Sequence, residues 1–295
     1  MSQSLSEVAF DSATDELNEY AIYKKFSELR TRYNPEFSRT LTRLAEMEYR
    51  HYQFWKKFCP DRNITINKVK LALMVFVRLF LGVTFAFKFL ERTESSVIQQ
   101  YKSVAHLVPA EDQVALQEII ADEQEHEKEF AEQFNEPHIK YISFIVLGLA
   151  DALVEIAGIH AGSLGIYNST RLAGLAGIIA GAAASVAMAS AAYAQAKTGF
   201  KGSAGLSAAY TGVSYFLTAV ILATPYFLTE IMLTALLVSV IAGIVLIAVT
   251  SFYGSVIAGT PFRKDFVEVT SIMLGATVAL YLLGLIIRYL TGITV

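Results

Sequence analysis

The spacing of apolar and polar residues changes abruptly near residue 138. Up to that point apolar residues recur every three or four positions among charged ones, which is the pattern of amphipathic helices. Pro35, Pro60 and Pro109 interrupt the pattern. The predicted helical stretches are therefore 13–33, 36–58, 66–106 and 110–134.

From Tyr141 onward the chain consists of apolar runs, each near the ~20 residues that a helix needs to cross a bilayer. Short polar or glycine-containing segments separate these runs. The runs predicted to span a membrane are 141–166, 172–195, 206–228, 231–257 and 267–290. The expected fold is all-α, with domain 1–137 as a cytosolic four-helix bundle and domain 138–295 as a five-helix transmembrane bundle.

Charge follows the same division of the chain. Residues 1–138 contain 17 Lys or Arg and 22 Asp or Glu, whereas residues 139–295 contain only 7 and 5. The net charge of −3 excludes a basic nucleic-acid-binding surface. The single cysteine, Cys59, excludes a disulfide framework and a cysteine-based zinc or iron–sulfur site.

Lysine and arginine in the short connections predict the orientation of the spans, since such residues concentrate in cytoplasmic loops. With the N-terminal domain in the cytoplasm, five of these residues lie inside, and only Arg171 and Arg288 lie outside. The five are Lys140, Lys197, Lys201, Arg263 and Lys264.

The amphipathic part contains two Glu-x-x-His motifs, each of which puts a carboxylate and an imidazole one turn apart on a helix face. The motifs lie 75 residues apart, and a further glutamate precedes each by 29 residues. The six residues in matched positions are Glu19, Glu48, His51, Glu94, Glu123 and His126. Glu16 and Glu91, one turn before the first glutamate of each half, could add a mobile carboxylate.

A four-helix bundle binds two metal ions when two helices supply one Glu each and two supply a Glu-x-x-His. Four carboxylates and two imidazoles suit two Fe(II) or Mn(II) ions. Solvated surface charges are the alternative, but they do not explain the matched offsets. We therefore expect a di-metal site and no organic cofactor.

One further segment, Leu71–Leu90, is nearly apolar enough to form a sixth span. If it crossed the bilayer, the two halves of the repeat would lie on opposite sides and the site could not form. We expect a partly buried or membrane-surface segment, with Lys68, Lys70, Arg78 and Lys88 near lipid headgroups.

The N-terminal motifs resemble the rubrerythrin branch of the ferritin-like superfamily over roughly residues 13–134. The matching pieces are Glu19 with Leu44-Ala-Glu-Met-Glu48-Tyr-Arg-His51, and Glu94 with Asp122-Glu123-Gln-Glu-His126. The resemblance implies a di-iron carboxylate bundle that handles Fe(II) with oxygen or peroxide. Because Cys59 is alone, the four-cysteine iron centre of full rubrerythrins is excluded.

The first predicted span carries two acids, Asp151 and Glu155, near mid-depth and on one face with Gly158 and Gly162. Ionisable residues inside a membrane indicate function because they are costly there. An ion path is the functional interpretation; a protonated, hydrogen-bonded structural pair is the alternative. In the second span Met188 is either a soft ligand on that path or a packing residue.

The membrane half resembles the vacuolar iron transporter family over about residues 139–292. The matching pieces are Gly148-Leu-Ala-Asp151-Ala-Leu-Val, Leu172-Ala-Gly-Leu-Ala-Gly177 and Met188-Ala-Ser-Ala-Ala-Tyr193. The chain departs from the family at Ala152, usually Gly, and at Ala192, usually Glu, which Glu155 could replace. The resemblance implies a homodimer that moves Fe(II) or Mn(II) out of the cytosol against protons.

A ferritin-like domain fused to such a transporter resembles the membrane-bound ferritins of prokaryotes, which implies the prokaryotic cell membrane as its location. The leading hypothesis is a metal exporter whose cytosolic domain captures, senses or oxidises iron. The alternative is a membrane-anchored di-iron oxidase or peroxidase. The expected partners are Fe(II) or Mn(II), protons, membrane lipid and a second copy of the chain.

Overall fold

A computed structural model describes residues 4–29, 35–92, 94–133, 140–164, 166 and 169–292; within these, the side chains of 35–37, 91, 94–96 and 125–133 are left aside. Every regular element in these ranges is helical, which confirms the predicted all-α fold. The chain divides into two compact units, Met1–Asn135 and Glu136–Val295.

The described part of the first unit contains six α-helices and two short 3-10 helices, at Ala105–Leu107 and Ala110–Asp112. The α-helices are α1 (Leu5–Glu28), α2 (Pro35–Lys56), α3 (Lys68–Leu81), α4 (Val83–Glu91), α5 (Glu94–Val104) and α6 (Gln113–Gln133). α1 begins at a capping box, in which the Ser4 side chain accepts from the Glu7 amide and the Glu7 carboxylate accepts from the Ser4 amide.

Two apolar clusters form the core of this unit. One contains Trp55, Tyr101 and Leu116 and therefore joins α2, α5 and α6. The other contains Phe26 and Phe87 and joins α1 to α4. Burial in these two clusters thus fixes α1, α2, α4, α5 and α6 within the unit.

The third predicted stretch, 66–106, is not one helix but three. Gly82 ends α3 with φ of 93°, a left-handed backbone conformation that favours glycine. α3 and α4 have 14 and 9 residues, so neither is long enough to span a bilayer. The segment Leu71–Leu90 is therefore broken at Gly82 instead of forming a sixth span.

The second unit contains five helices that are long and apolar enough to cross a membrane. Its elements are α7 (Ile142–Leu164), α8 (Thr170–Ala196), α9 (Ala204–Ala223), the short α10 (Pro225–Leu228), α11 (Met232–Ala258) and α12 (Phe262–Thr291). α9 and α10 together form the third span, and Pro225 separates them because it lacks an amide donor. The five predicted spans are confirmed to within a few residues at their ends.

Small residues on the spans allow close contacts within the chain. A Cβ added to Gly284 on α12 would lie 2.4 Å from the carbonyl oxygen of Gly162 on α7. A Cβ on Gly181 would lie 2.5 Å from that of Ala219 on α9. The small-residue faces of α7 and α8 are thus occupied by neighbouring spans of the same chain.

Candidate metal centre

Four buried side chains from three helices of the first unit converge on one point. Glu16 comes from α1, Glu48 and His51 from α2, and Glu123 from α6. One ligand atom of each lies within 4.8 Å of those of the others. Their exposures are 3%, 0%, 1% and 4%, so the group is removed from bulk water.

His51 lies at the centre of this group. Its Nδ1 atom is 3.0 Å from Oε1 of Glu123, 3.4 Å from Oε2 of Glu48 and 3.8 Å from Oε2 of Glu16. Its Nε2 atom is 3.4 Å from Oδ2 of Asp122, which is partly exposed. Carboxylates therefore surround the imidazole on both sides.

A buried tyrosine orients one of the carboxylates. The Tyr101 hydroxyl on α5 donates a hydrogen bond of 2.5 Å to Oε1 of Glu16. The Tyr101 ring packs on the Trp55 ring, with 4.7 Å between the ring centroids. Because Tyr101 is 1% exposed, its hydroxyl can turn to few other partners. α5 thus contributes the Tyr101 hydroxyl, which orients the Glu16 carboxylate.

Several carboxylates of the centre lie close together around the His51 imidazole, and this crowding shifts the pKa values of all these groups. Burial, followed by the charge of Glu123, raises the pKa of Glu48 well above its ordinary value. Burial and the charge of Glu16 likewise raise the pKa of Glu123. Burial alone would lower the pKa of His51, but the carboxylates of Glu123, Glu16 and Glu48 around its Nδ1 atom raise it.

Glu16 is the exception among the carboxylates. Burial opposes its ionisation, but the hydrogen bond and positive charge of His51 outweigh burial and lower its pKa. One proton on His51 therefore compensates part of the negative charge of the cluster. A divalent cation at the same point would compensate more of it.

The donor set fits a transition-metal ion of intermediate hardness. Three carboxylates and one imidazole match Fe(II) or Mn(II), which accept oxygen ligands together with nitrogen. Buried carboxylates at this density are stable only when a cation or shared protons balance them. The residues therefore fit a metal ion, and the group is a candidate carboxylate–histidine metal site.

The structure brings together three of the six predicted ligands, Glu48, His51 and Glu123, and adds Glu16. Glu19 is not in the group of four, although the charges of Glu16 and Glu123, after burial, help to raise its pKa. The side chains of Glu91, Glu94 and His126 lie outside the described part of the chain. In the described helices, Glu91 ends α4 and Glu94 begins α5.

Two contributors were missed from the sequence, Tyr101 and Asp122. Tyr101 follows Glu94 by seven residues, which is two helical turns and hence the same face, so its position was a usable signal. Asp122 directly precedes Glu123, and nothing in the sequence pattern marks it as a contact of His51. Its contact with His51 arises from the packing of α6 near α2.

A second pair of acids lies in the apolar unit. Asp151 is half-buried on α7, and Glu155, one turn later, is exposed on the surface of the single chain. The Tyr215 hydroxyl on α9 donates a 2.5 Å hydrogen bond to Oε2 of Glu155. Met188 on α8 is partly buried against the core cluster that includes Ala152 of α7.

A comparison with known protein families finds a match for the first unit. The rubrerythrin family model matches residues 9–134, which include all four residues of the centre. The N-terminal part is thus similar to a rubrerythrin domain, and five helices long and apolar enough to cross a membrane follow it among the described residues. No curated protein and no solved structure matches the chain.

Proposed function

We propose that this protein exports Fe(II), and also Mn(II), from the cytosol across a membrane in exchange for protons. Its N-terminal domain, on the cytosolic side, captures iron and oxidises or senses it. The observation that carries the proposal is the pair of carboxylates inside the 23-residue apolar helix α7.

A helix that only anchors a protein has no use for two acids at its centre, because each is costly in a bilayer. Asp151 and Glu155 lie one turn apart on α7, so their carboxylates together offer oxygen ligands to one divalent cation. In this proposal a proton is exchanged for the cation at the pair. Metal and proton movement are coupled by that exchange alone.

Exposure of Glu155 on the single chain supports a dimer. A carboxylate on the lipid-facing surface of a span needs cover, and a second copy of α7 would provide both cover and further acids. The glycines of α7 and α8 do not provide this cover, since neighbouring spans of the same chain contact them. We therefore assign the dimer contact to the part of α7 around Glu155, which is exposed although α12 covers the glycines that follow it.

In the N-terminal domain, Glu16, Glu48, His51 and Glu123 would hold iron, with Glu19, Glu94 and His126 as the proposed remaining ligands of a two-ion site. A bound pair of iron ions supplies the one-electron redox chemistry of Fe(II) with oxygen or peroxide. The protein contributes a buried environment, the Tyr101 donor that fixes Glu16, and a proton store on His51.

Metal flux in proteoliposomes tests the proposal. Purified protein is reconstituted with Fe(II) or Mn(II) outside, and both luminal metal and luminal pH are followed. Asp151→Asn keeps the volume of the side chain but removes its titration, so flux should be abolished. Glu48→Gln, in the other unit, is the matched control and should leave the intrinsic flux of the membrane unit measurable.

The second candidate function, a membrane-anchored oxidase or peroxidase, is favoured by the burial of three carboxylates and one imidazole at a single point. The variants Asp151→Asn and Glu48→Gln also distinguish the two functions. An anchored enzyme would show oxygen- or peroxide-dependent Fe(II) oxidation that Glu48→Gln removes, with no flux in any variant. Unchanged flux in Asp151→Asn would likewise reject the proposed transport path.

A further inference from the structure

Helix α3 of the first unit has apolar side chains on two opposite faces. Its inner face packs on the core through Met74, which is 2% exposed, and through Leu71 and Val75. Arg78 completes the inner face, where its guanidinium donates to the Phe26 carbonyl at 2.6 Å and lies over the Phe26 ring. α3 is therefore firmly seated on the unit.

The outer face of α3 is a stripe of large apolar residues in contact with solvent. These are Val69, Leu73, Phe76, Leu79 and Phe80, with exposures of 77%, 55%, 55%, 67% and 71%. Their spacing of three and four residues places them on one side of a helix about 21 Å long. Isolated exposed apolar residues are ordinary, but a contiguous stripe of this kind marks an interaction surface.

Charge indicates what covers this stripe. Residues 68–90 carry four basic side chains and no acid, although the unit as a whole has more acids than bases. Lys68 is exposed at the start of α3, and Lys70, in the same turn, is 3.8 Å from Asp15. A basic edge beside an apolar face is the composition of helices that lie in the headgroup region of anionic bilayers.

A second copy of the chain fits the stripe less well. In a twofold contact α3 would meet α3, and in either direction neither copy of residues 68–90 brings an acid to pair with Lys68 or Lys70. Lipid, in contrast, is always near. The same chain carries five described helices that are apolar enough to cross a membrane.

We propose that α3 binds the membrane surface in the plane of the bilayer. The stripe inserts between the acyl chains of anionic phospholipid, and Lys68 and Lys70 contact the phosphate groups. This binding also positions the metal centre. The Asn67 amide, at the start of α3, donates to the Asn18 side chain of α1 at 2.7 Å, two residues after Glu16.

Fluorescence quenching by lipid tests the proposal on the full chain. Because Cys59 is the only cysteine and is 2% exposed, Cys59→Ala gives a background for single labels. A polarity-sensitive dye is attached at Leu79→Cys or, independently, at Leu73→Cys. Val114→Cys on α6, whose side chain is 70% exposed, is the matched control. Each protein is placed in nanodiscs of phosphatidylcholine and phosphatidylglycerol that contain nitroxide-labelled acyl chains.

We expect several-fold stronger quenching at positions 79 and 73 than at 114, and a fall in that quenching when phosphatidylglycerol is omitted or Lys68→Gln is introduced. Quenching at 79 and 73 no greater than at 114 would overturn the proposal. So would a dye environment that becomes apolar only when a nanodisc holds two chains, because the stripe would then bind a second copy. Metal content, measured on each variant, shows that the unit is folded.

Discussion

The Nδ1 atom of His51 lies 3.0 Å from Oε1 of Glu123, although the two residues belong to the two copies of a sequence pattern that recurs after 75 residues. The repeat supplies equivalent glutamates at positions 48 and 123, and the fold brings both to the same imidazole. This contact connects a pattern in the sequence to a single buried site.

Glu48→Gln and Glu123→Gln should therefore reduce metal content alike. Each replaces a carboxylate at the same imidazole by an amide of equal size, so packing is kept while a ligand is lost. Metal analysis after reconstitution with Fe(II) or Mn(II) measures the effect. Glu118→Gln, on the exposed side of α6, is the control and should bind metal normally. Retention of full metal by both test variants would place the ions elsewhere.

Tyr101→Phe should weaken metal binding without unfolding the domain. The substitution removes the hydroxyl that fixes Glu16 but keeps the ring that packs on Trp55. Loss of such an outer partner reduces affinity by roughly 10- to 100-fold. Competition with a metal-sensitive chelator dye measures the affinity. Tyr23→Phe, in the other core cluster, controls for the loss of a buried tyrosine hydroxyl. Equal affinities in the two variants would contradict an orienting role for Tyr101.

Metal binding should release protons and tighten as the pH rises. The pKa values of Glu48, Glu123 and His51 are raised, by burial and neighbouring acids for the glutamates and by hydrogen bonds to acids for His51. These groups hold protons above the usual glutamate pKa of about 4.3, and a metal ion requires them deprotonated. Calorimetry in two buffers of different ionisation enthalpy counts the protons. Binding that is independent of pH and buffer would show that the group does not ligate the ion.

Gly284→Ala should destabilise the membrane unit, whereas Gly275→Ala on the same helix should not. A methyl group at 284 would meet the Gly162 carbonyl oxygen at 2.4 Å, but at 275 it meets no heavy atom within 4 Å. Overpacking of this kind costs about 1–3 kcal/mol. Thermal unfolding in detergent compares the two variants. Equal melting temperatures would contradict a close contact between α12 at Gly284 and α7 at Gly162.

The sequence predicted the helical content, the five spans and three residues of the metal centre, because periodicity and the repeat depend on local spacing. It did not predict the break at Gly82, since a single glycine in an apolar run does not reveal its φ angle. Nor did it rank Glu16 above Glu19. One turn of α1 separates these residues, and which of them faces His51 is decided by the rotation of α1 against α2. Contacts between distant helices, such as Asp122 with His51, are set by packing alone.

Tyr215→Phe should reduce metal flux through the membrane unit. The Tyr215 hydroxyl donates to Glu155 and holds the carboxylate beside Asp151 on α7. A hydrogen bond contributes about 0.5–1.5 kcal/mol, so its loss should lower flux by roughly two- to tenfold. Tyr226→Phe is the matched control, because this buried hydroxyl has no hydrogen-bond partner among the described residues. Flux should fall in the first variant alone and should lose its dependence on a pH gradient. If both variants transport at the wild-type rate, Tyr215 only fills space between α7 and α9.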